Sequence, residues 1–273
     1  MVWRHGGFKY VSEPRETGGP FRVDGQVALV TGAGSGLGQA AANALAAAGA
    51  TIFVTELPHL LERAEATASA IVERYGQAAT ALPLDVRDLA SIQACVAAAS
   101  AGGRLDILVN NAGLNVPKLA FDVEEEDWDR VLDVNLKGLF FMAQAAGRVM
   151  RDQRPGGGSI VNIASQMGLV GYFKRAAYCS SKAGAINLTR VLAIEWAELG
   201  IRVNTVCPTF VETPLTRPMF EDEAFKTDVH KRILLGRLAT PVDIANAVVY
   251  LASPAAAMVH GHALTVDGGW TAI

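Results

Sequence analysis

The sequence predicts an α/β protein: one open sheet of about seven parallel strands, covered by helices on both faces. Three observations carry this. Short apolar, β-branched runs alternate with Ala-rich stretches of helical periodicity from Gln26 towards the C-terminus. A glycine cluster between Gly32 and Gly38 separates the first run from the first helix. No linker, repeat or charge block divides the 273 residues, so 21–273 reads as one domain behind a flexible, Gly/Pro-containing extension over residues 1–20.

In order, residues 26–31 (QVALVT) form the first buried strand, and the Ala-rich stretch 39–48 the first helix, ended by Gly49. Residues 51–55 (TIFVT) are the second strand, 60–75 an amphipathic helix, and 79–84 the third strand. A helix over 89–99 and a strand over 105–109 follow. The charge run 124–129 reads as the solvated start of a helix whose periodicity continues over 128–151. Residues 159–164 (SIVNIA) are strand five; a long helix then runs to Leu199, stopped by Gly200; residues 201–206 are strand six. The Pro-, Thr- and acid-containing insert from Pro208 to Lys231 is the natural substrate lid, about 209–235 in all. A helix over 241–252 and a strand over 263–266 close the pattern.

Composition narrows the function. Net charge is −3 with both signs interspersed, so no nucleic-acid footprint is expected. No run approaches the ~20 apolar residues of a membrane span. Cys95, Cys179 and Cys207 show neither a disulfide framework nor CxxC spacing, which suits a reduced, cytoplasmic protein. His260 and His262 have no third ligand nearby in sequence, so no metal site is expected.

The glycine cluster suits a dinucleotide. Glycines let the backbone approach a pyrophosphate, and the N-terminus of the following helix offers free N–H groups and positive partial charge. Glu56 follows the second strand, where such folds place the acid that bonds a ribose 2′-OH; there it would repel a 2′-phosphate. With Ser35 and Leu37 supplying no cation, NAD is favoured over NADP, although a solvated loop glutamate is the plain alternative. Asp85-Val86, at the carboxyl end of strand three, either flanks an adenine ring or serves as a turn or cap. Tyr178 and Lys182 are i, i+4 and share a helix face. A nearby ammonium stabilises a phenolate and brings a tyrosine closer to useful acid/base strength. Asn135 sits in an apolar helical stretch, where an amide is costly to bury unless bonded.

Together, Thr31-Gly32-x-x-x-Gly36-x-Gly38, Asp85, Asn110-Asn111-Ala112-Gly113, Asn135, Ser165, Tyr178-x-x-x-Lys182, Pro208, Thr213 and Asp267-Gly268-Gly269 resemble the short-chain dehydrogenase/reductase family of the Asn-Ser-Tyr-Lys type, over Gly25 to Trp270. The resemblance implies a single-domain Rossmann-like doubly wound sheet and an NAD-dependent oxidoreductase interconverting a secondary alcohol and a ketone by hydride transfer. Tyr178 would be the general acid/base, and Ser165 would bond the substrate oxygen. Lys182 would lower the tyrosine pKa and hold the nicotinamide ribose, and Asn135 would anchor a water that relays protons from Lys182. The cofactor positions would be Gly32, Ser35, Gly36, Leu37, Gly38, Glu56, Asp85, Val86, Asn111, Ala112, Gly113, Tyr178, Lys182, Pro208, Val211 and Thr213. Thr209 departs from the glycine usual after Pro208. The substrate would meet Asn115, Gln166, Phe173 and Thr209, with Leu114 and Met167 nearby. Lys174 and Arg175 would either meet a carboxylate or be solvated loop charges. The tail from Leu235 to Trp270 is similar to members acting on sugars, polyols and sugar acids. A homotetramer or homodimer is expected. The alternatives are a 3-oxoacyl-thioester reductase using NADPH and a non-catalytic NAD(H)-binding sensor.

Overall fold

The computed structural model describes residues 19–213 and 216–272; residues 1–18 of the expected extension, and 214–215 within the expected lid, lie outside these. From Pro20 onward the chain is tied down: the Pro20 carbonyl accepts from Ala255 N at 2.8 Å and the Phe21 ring packs on Tyr250.

Seven strands form one parallel sheet in the order β3-β2-β1-β4-β5-β6-β7. They are β1 (Val27–Val30), β2 (Thr51–Glu56), β3 (Ala79–Pro83), β4 (Ile107–Asn110), β5 (Gly158–Ile163), β6 (Ile201–Pro208) and β7 (Ala263–Val266). Eight α-helices accompany them among the described residues: α1 (Gly36–Ala47), α2 (Leu61–Tyr75), α3 (Leu89–Ala99), α4 (Glu125–Leu132), α5 (Leu139–Asp152), α6 (Ala176–Trp196), α7 (Glu223–Arg232) and α8 (Pro241–Ala252).

Strand residues alternate between two cores because successive side chains leave opposite faces of the sheet. Ala28, Val30, Ile107, Val109 and Val161 meet Ala41, Leu45, Ile244 and Val248 of α1 and α8. Leu29, Leu108, Ile160 and Val203 meet Ile92, Met142, Ala146 and Leu192 of α3, α5 and α6. Each fully buried Leu or Ile contributes roughly 1.5–3 kcal/mol of transfer free energy. The alanines of α1 keep that helix close to the sheet and to α8.

Several elements differ from expectation: α1 begins at Gly36 rather than at residue 39, and β4 runs over Ile107–Asn110 rather than 105–109. Glu56 is the last residue of β2 rather than following it, and β6 extends through Pro208. The helix predicted over 128–151 is instead α4, a π-helical segment Asp133–Gly138, and α5. The insert after β6 is not all loop: Asp222 caps α7 by accepting from Ala224 N and Phe225 N.

Strand order reverses between β1 and β4, and crevices outside the carboxyl ends of strands at such a switch point are where ligands bind in open α/β sheets. Both the glycine cluster and the Tyr178 helix start at that edge.

Candidate active site

The cradle between β1 and α1 depends on missing Cβ atoms. At Gly38 an added Cβ would lie 2.4 Å from Gly32 O and 2.5 Å from Asn111 Nδ2. Gly32 and Gly36 have φ of +61° and +58°, a region that disfavours side chains. Ser35, ahead of α1, makes no side-chain capping bond, whereas Asp88 caps α3 and Thr240 caps α8. The first N–H groups of α1 therefore keep the unpaired donors that suit a pyrophosphate. Gly36 is open on its outer side, its nearest neighbour being Thr213 Cγ2 at 3.8 Å from a hypothetical Cβ. These residues fit a dinucleotide.

The next strand end braces that loop. Thr31 Oγ1 accepts from Asn111 N and Ala112 N, each at 2.9 Å. Asn111 Nδ2 donates to Thr31 O at 2.9 Å and Gly32 O at 3.0 Å. Asn111 thus holds the loop through its side chain. Glu56 Oε1 accepts from Leu57 N at 3.0 Å, and its Oε2 lies beside Gly34. Among the described residues no cation makes an ion pair with it. Asp85 serves the turn rather than the cap: its carboxylate accepts from Arg87 N and pairs with the Arg87 guanidinium, its carbonyl accepts from Asp88 N, and Asp88 takes the capping place. Val86 packs on Gly138, where an added Cβ would lie 2.7 Å from Val86 O.

The π-helical segment presents Asn135, fully buried, to the loop after β4. Such widened turns recur at functional sites. Asn135 Oδ1 accepts from Leu114 N, and Nδ2 donates to Leu114 O, both at 2.9 Å, and to Ser181 Oγ at 3.1 Å. Ser181 Oγ in turn donates to Tyr178 O at 2.8 Å. The sequence reading passed over Ser181 as a spacer. Its position three residues after Tyr178, on the same helix face, was the available signal.

Lys182 is buried and donates from Nζ to Ile163 O at 2.8 Å, 5.7 Å from the Tyr178 ring centroid. A Cβ on Gly113 would sit 3.3 Å from Asn135 Oδ1 and 3.5 Å from Lys182 Nζ. Asn135, Gly113 and Lys182 are therefore immediate neighbours. Burial pulls the Lys182 pKa down to about 8 and pushes that of Tyr178 up. The groups that pull the phenol back down are Ser165 and Arg175. Lys182, expected to have that effect, donates to the Ile163 carbonyl with its ammonium beside the Tyr178 ring.

A polar network missed in the sequence anchors α6 to the sheet. Asn110 Nδ2 donates to Asn162 Oδ1, Asn162 Nδ2 to Thr189 Oγ1, and Thr205 Oγ1 to Thr189 Oγ1, at 2.9, 2.9 and 2.7 Å. Isolated polar residues in apolar runs were its only trace in the sequence.

In the loops after β4, β5 and β6, the buried Oδ1 of Asn115, both side-chain polar atoms of Gln166 and Oγ1 of Thr209 respectively have no hydrogen-bond partner among the described residues; Asn110 Oδ1, inside the core network, is the other such atom. Phe173, by contrast, is exposed and packs on Tyr172. Lys174 is exposed at φ +58°, whereas Arg175, expected to be solvated if it met no ligand, is buried. The ring nitrogens of His260 both face backbone, Val203 N and Ala193 O. Val211 forms a bridge to Ala239, and Thr213 is held by Thr216.

This cradle and tetrad define an oxidoreductase that transfers hydride between an alcohol carbon and a nicotinamide dinucleotide. A family model described as enoyl-(acyl carrier protein) reductase matches residues 32–271. D-threitol dehydrogenase of Mycolicibacterium smegmatis is 46% identical over 92% of this chain and 95% of its own length. The 2-dehydro-3-deoxy-D-gluconate 5-dehydrogenase of Bacillus subtilis is 42% identical over 92% and 96%. The crystal structure of gluconate 5-dehydrogenase from Burkholderia cenocepacia, in complex with NADP and tartrate, superposes with a TM-score of 0.88 at 36% identity, covering 93% of this chain and 98% of that one. The chain belongs to the short-chain dehydrogenase/reductase family.

Proposed function

We propose that the protein is an NAD-dependent dehydrogenase of a polyol or sugar acid, oxidising a secondary alcohol to a ketone and reversing the step when the ketone is supplied. The observation that carries this is the meeting of Asn135, Ser165, Tyr178 and Lys182 at the edge that also holds the glycine cradle. The substrate class is supported by relatives named for a tetritol and for a sugar acid.

The cradle from Gly32 to Gly38, with Val86, Ala112 and Gly113, Pro208, Val211 and Thr213, holds the dinucleotide, and Glu56 takes the ribose hydroxyls. A nicotinamide held there would supply the hydride acceptor for oxidation of the carbinol carbon and the hydride donor for reduction. Tyr178 Oη removes the alcohol proton, and Ser165 Oγ stabilises charge developing on the same oxygen. Burial alone opposes this role because it raises the phenol pKa. Ser165 and Arg175 counter that rise, and the Lys182 ammonium adds to them if it leaves Ile163 O for Tyr178 and the ribose. Asn135 fixes the 113–115 backbone and the Ser181 hydroxyl, and retains the proton-relay role the family implies. Asn115, Gln166 and Thr209 offer their unpartnered polar atoms to substrate hydroxyls.

Residues 209–235 act as the lid. Phe210, Phe220 and Phe225 pack with Tyr172 and Trp270, fastening that segment to the body, while Thr213 overhangs Gly36. A homotetramer or homodimer would cover the exposed Val191 and Ile194 of α6. Three unpaired thiols suit the cytoplasm, and no helix among the described residues is long and apolar enough to cross a membrane.

The test follows NADH absorbance with NAD against NADP over alditols, aldonates, simple secondary alcohols and a 3-oxoacyl thioester. Turnover of an alditol or aldonate with NAD is expected. Exclusive turnover of the thioester with NADPH would replace this reading with the acyl-reductase one.

A further inference from the structure

Arg175 is buried and Arg202 half-buried, and the fold treats them differently. Arg202 donates to three carbonyls, Leu251 O at 2.7 Å and Ala252 O and Ser253 O at 3.2 Å each, so its guanidinium is satisfied by the fold. Arg175 is only 7% exposed, yet among the described residues its one oxygen acceptor is the adjacent Lys174 O, at 3.0 Å from Nη1. Its other partner is the weak acceptor Met219 Sδ, 3.9 Å from Nη2. A guanidinium has five N–H donors, so most of this fork lacks a strong acceptor among the described residues. The groups whose charge would reach it are the phenols of Tyr172 and Tyr178 and the thiol of Cys179, with no carboxylate among them. Lys118, bridged to it by backbone, spends its own charge on Asp127.

A buried cation without a counter-ion is costly, and folds retain one where a ligand supplies the missing charge. Position says which ligand. Arg175 immediately precedes α6, three residues before Tyr178, and its charge reaches that phenol. It also belongs to the same strand-end region as Asn115, Gln166 and Thr209, whose buried polar atoms lack partners.

We propose that Arg175 reads a carboxylate on the substrate, so that the enzyme acts on a sugar acid in preference to a neutral polyol. This rests on the reading of the site given above. The planar fork accepts a carboxylate through two parallel N–H···O bonds, a geometry that a neutral terminal CH2OH cannot supply. The orphan amide and hydroxyl groups then take the hydroxyls between carboxylate and carbinol carbon.

The test compares matched pairs, gluconate with glucitol and threonate with threitol, in the wild type and in Arg175→Gln and Arg175→Lys, with NADH binding followed by fluorescence in each. The wild type is expected to favour the acid by ~10-fold or more in kcat/KM, and Arg175→Gln to lose on the order of 100-fold on the acid, chiefly through KM. The alditols should lose only the smaller factor carried through the Tyr178 pKa, well below the loss on the acid, and Arg175→Lys should recover part of the acid-specific loss. Equal losses on acid and alditol would overturn the proposal, leaving Arg175 to act only through the Tyr178 pKa, and so would a wild-type preference for alditols. If neither class turns over while NADH binds, gluconate is tested for thermal stabilisation of the NADH-loaded protein. Stabilisation that Arg175→Gln abolishes supports the carboxylate site, and its absence in the wild type refutes it. Failure to bind NADH or NADPH would instead sink the underlying dehydrogenase reading, and this proposal with it.

Discussion

At the glycine-loop end of the cleft, Thr31, Gly32, Asn111 and Ala112 satisfy one another through four hydrogen bonds of 2.9 to 3.0 Å. In the loops after β4, β5 and β6, Asn115, Gln166 and Thr209 keep buried polar atoms without partners among the described residues, and Arg175 keeps most of its donors. The first end is a finished backbone surface, built to receive a group that is the same in every turnover. The second is completed only by whatever fills it. Native folds leave few buried polar atoms unpaired, so these atoms support the proposal that substrate is read on this side.

Breaking the comparison at its centre should give the largest effect. Tyr178→Phe is expected to lower kcat by ~10²–10⁴-fold while NADH affinity stays near wild type, since the phenol moves a proton and the cradle is untouched. Retained turnover in stopped-flow oxidation would remove Tyr178 from its role. Next comes the finished end. Gly38→Ala places a methyl 2.4 Å from Gly32 O and 2.5 Å from Asn111 Nδ2. A loss of about 1–3 kcal/mol in stability is expected, as for overpacking, with weakened NADH binding, read by urea unfolding and fluorescence titration.

A matched pair of threonines sharpens the contrast. Thr31→Val strands two backbone N–H groups and should cost about 1–3 kcal/mol of stability. Thr209→Val removes an orphan hydroxyl, so stability should hold or rise while kcat/KM for the sugar-class substrate falls by ~10-fold. Equal destabilisation by both would mean that the two ends do not differ as described. Glu56→Gln should move the NAD:NADP ratio of kcat/KM by ~10-fold towards NADP, because the 2′-phosphate no longer faces a carboxylate. An unchanged ratio would count against NAD selection at this position.

The smallest effect concerns pH. Lys182 has its pKa lowered to about 8 in the folded protein from an ordinary 10.5. Between these values the unfolded chain holds a proton that the native one has released, so this group's contribution to stability rises with pH across the window. It is lost as pH falls through the folded value. The raised Tyr178 pKa acts in the opposite sense only above its ordinary 10.0. Urea unfolding between pH 7 and 9.5 should therefore show wild-type stability gaining on Lys182→Met as pH rises; parallel profiles would argue against a depressed lysine.

Much of the fold was legible because it is local. The helices over 89–99 and 241–252 and the last strand over 263–266 begin and end where pattern and caps place them. The π-helical segment was not, because its cause is non-local: Gly138 seats on Val86 while Asn135 turns inward to Leu114. Helix α7 was hidden by a polar composition suited to a lid, and only its Asp222 cap hinted at it. Of the site, the glycines, Ser165, Tyr178 and Lys182 could be named from type and spacing, whereas the pairing of Asn135 with Ser181 could not.

What the sequence determined by itself is therefore the periodic part: seven strands, the helices between them, the glycine turn and the i, i+4 face of Tyr178 and Lys182. Period, glycine and capping act over a few residues and can be read from neighbours along the chain. What only the tertiary structure decided is solvation and partnership. Lys182 points at Ile163 O, Asn111 braces Gly32, and Arg175 is buried rather than solvated. The free energy of a charge or amide depends on the dielectric and the acceptors around it, and those come from strands and loops distant in sequence.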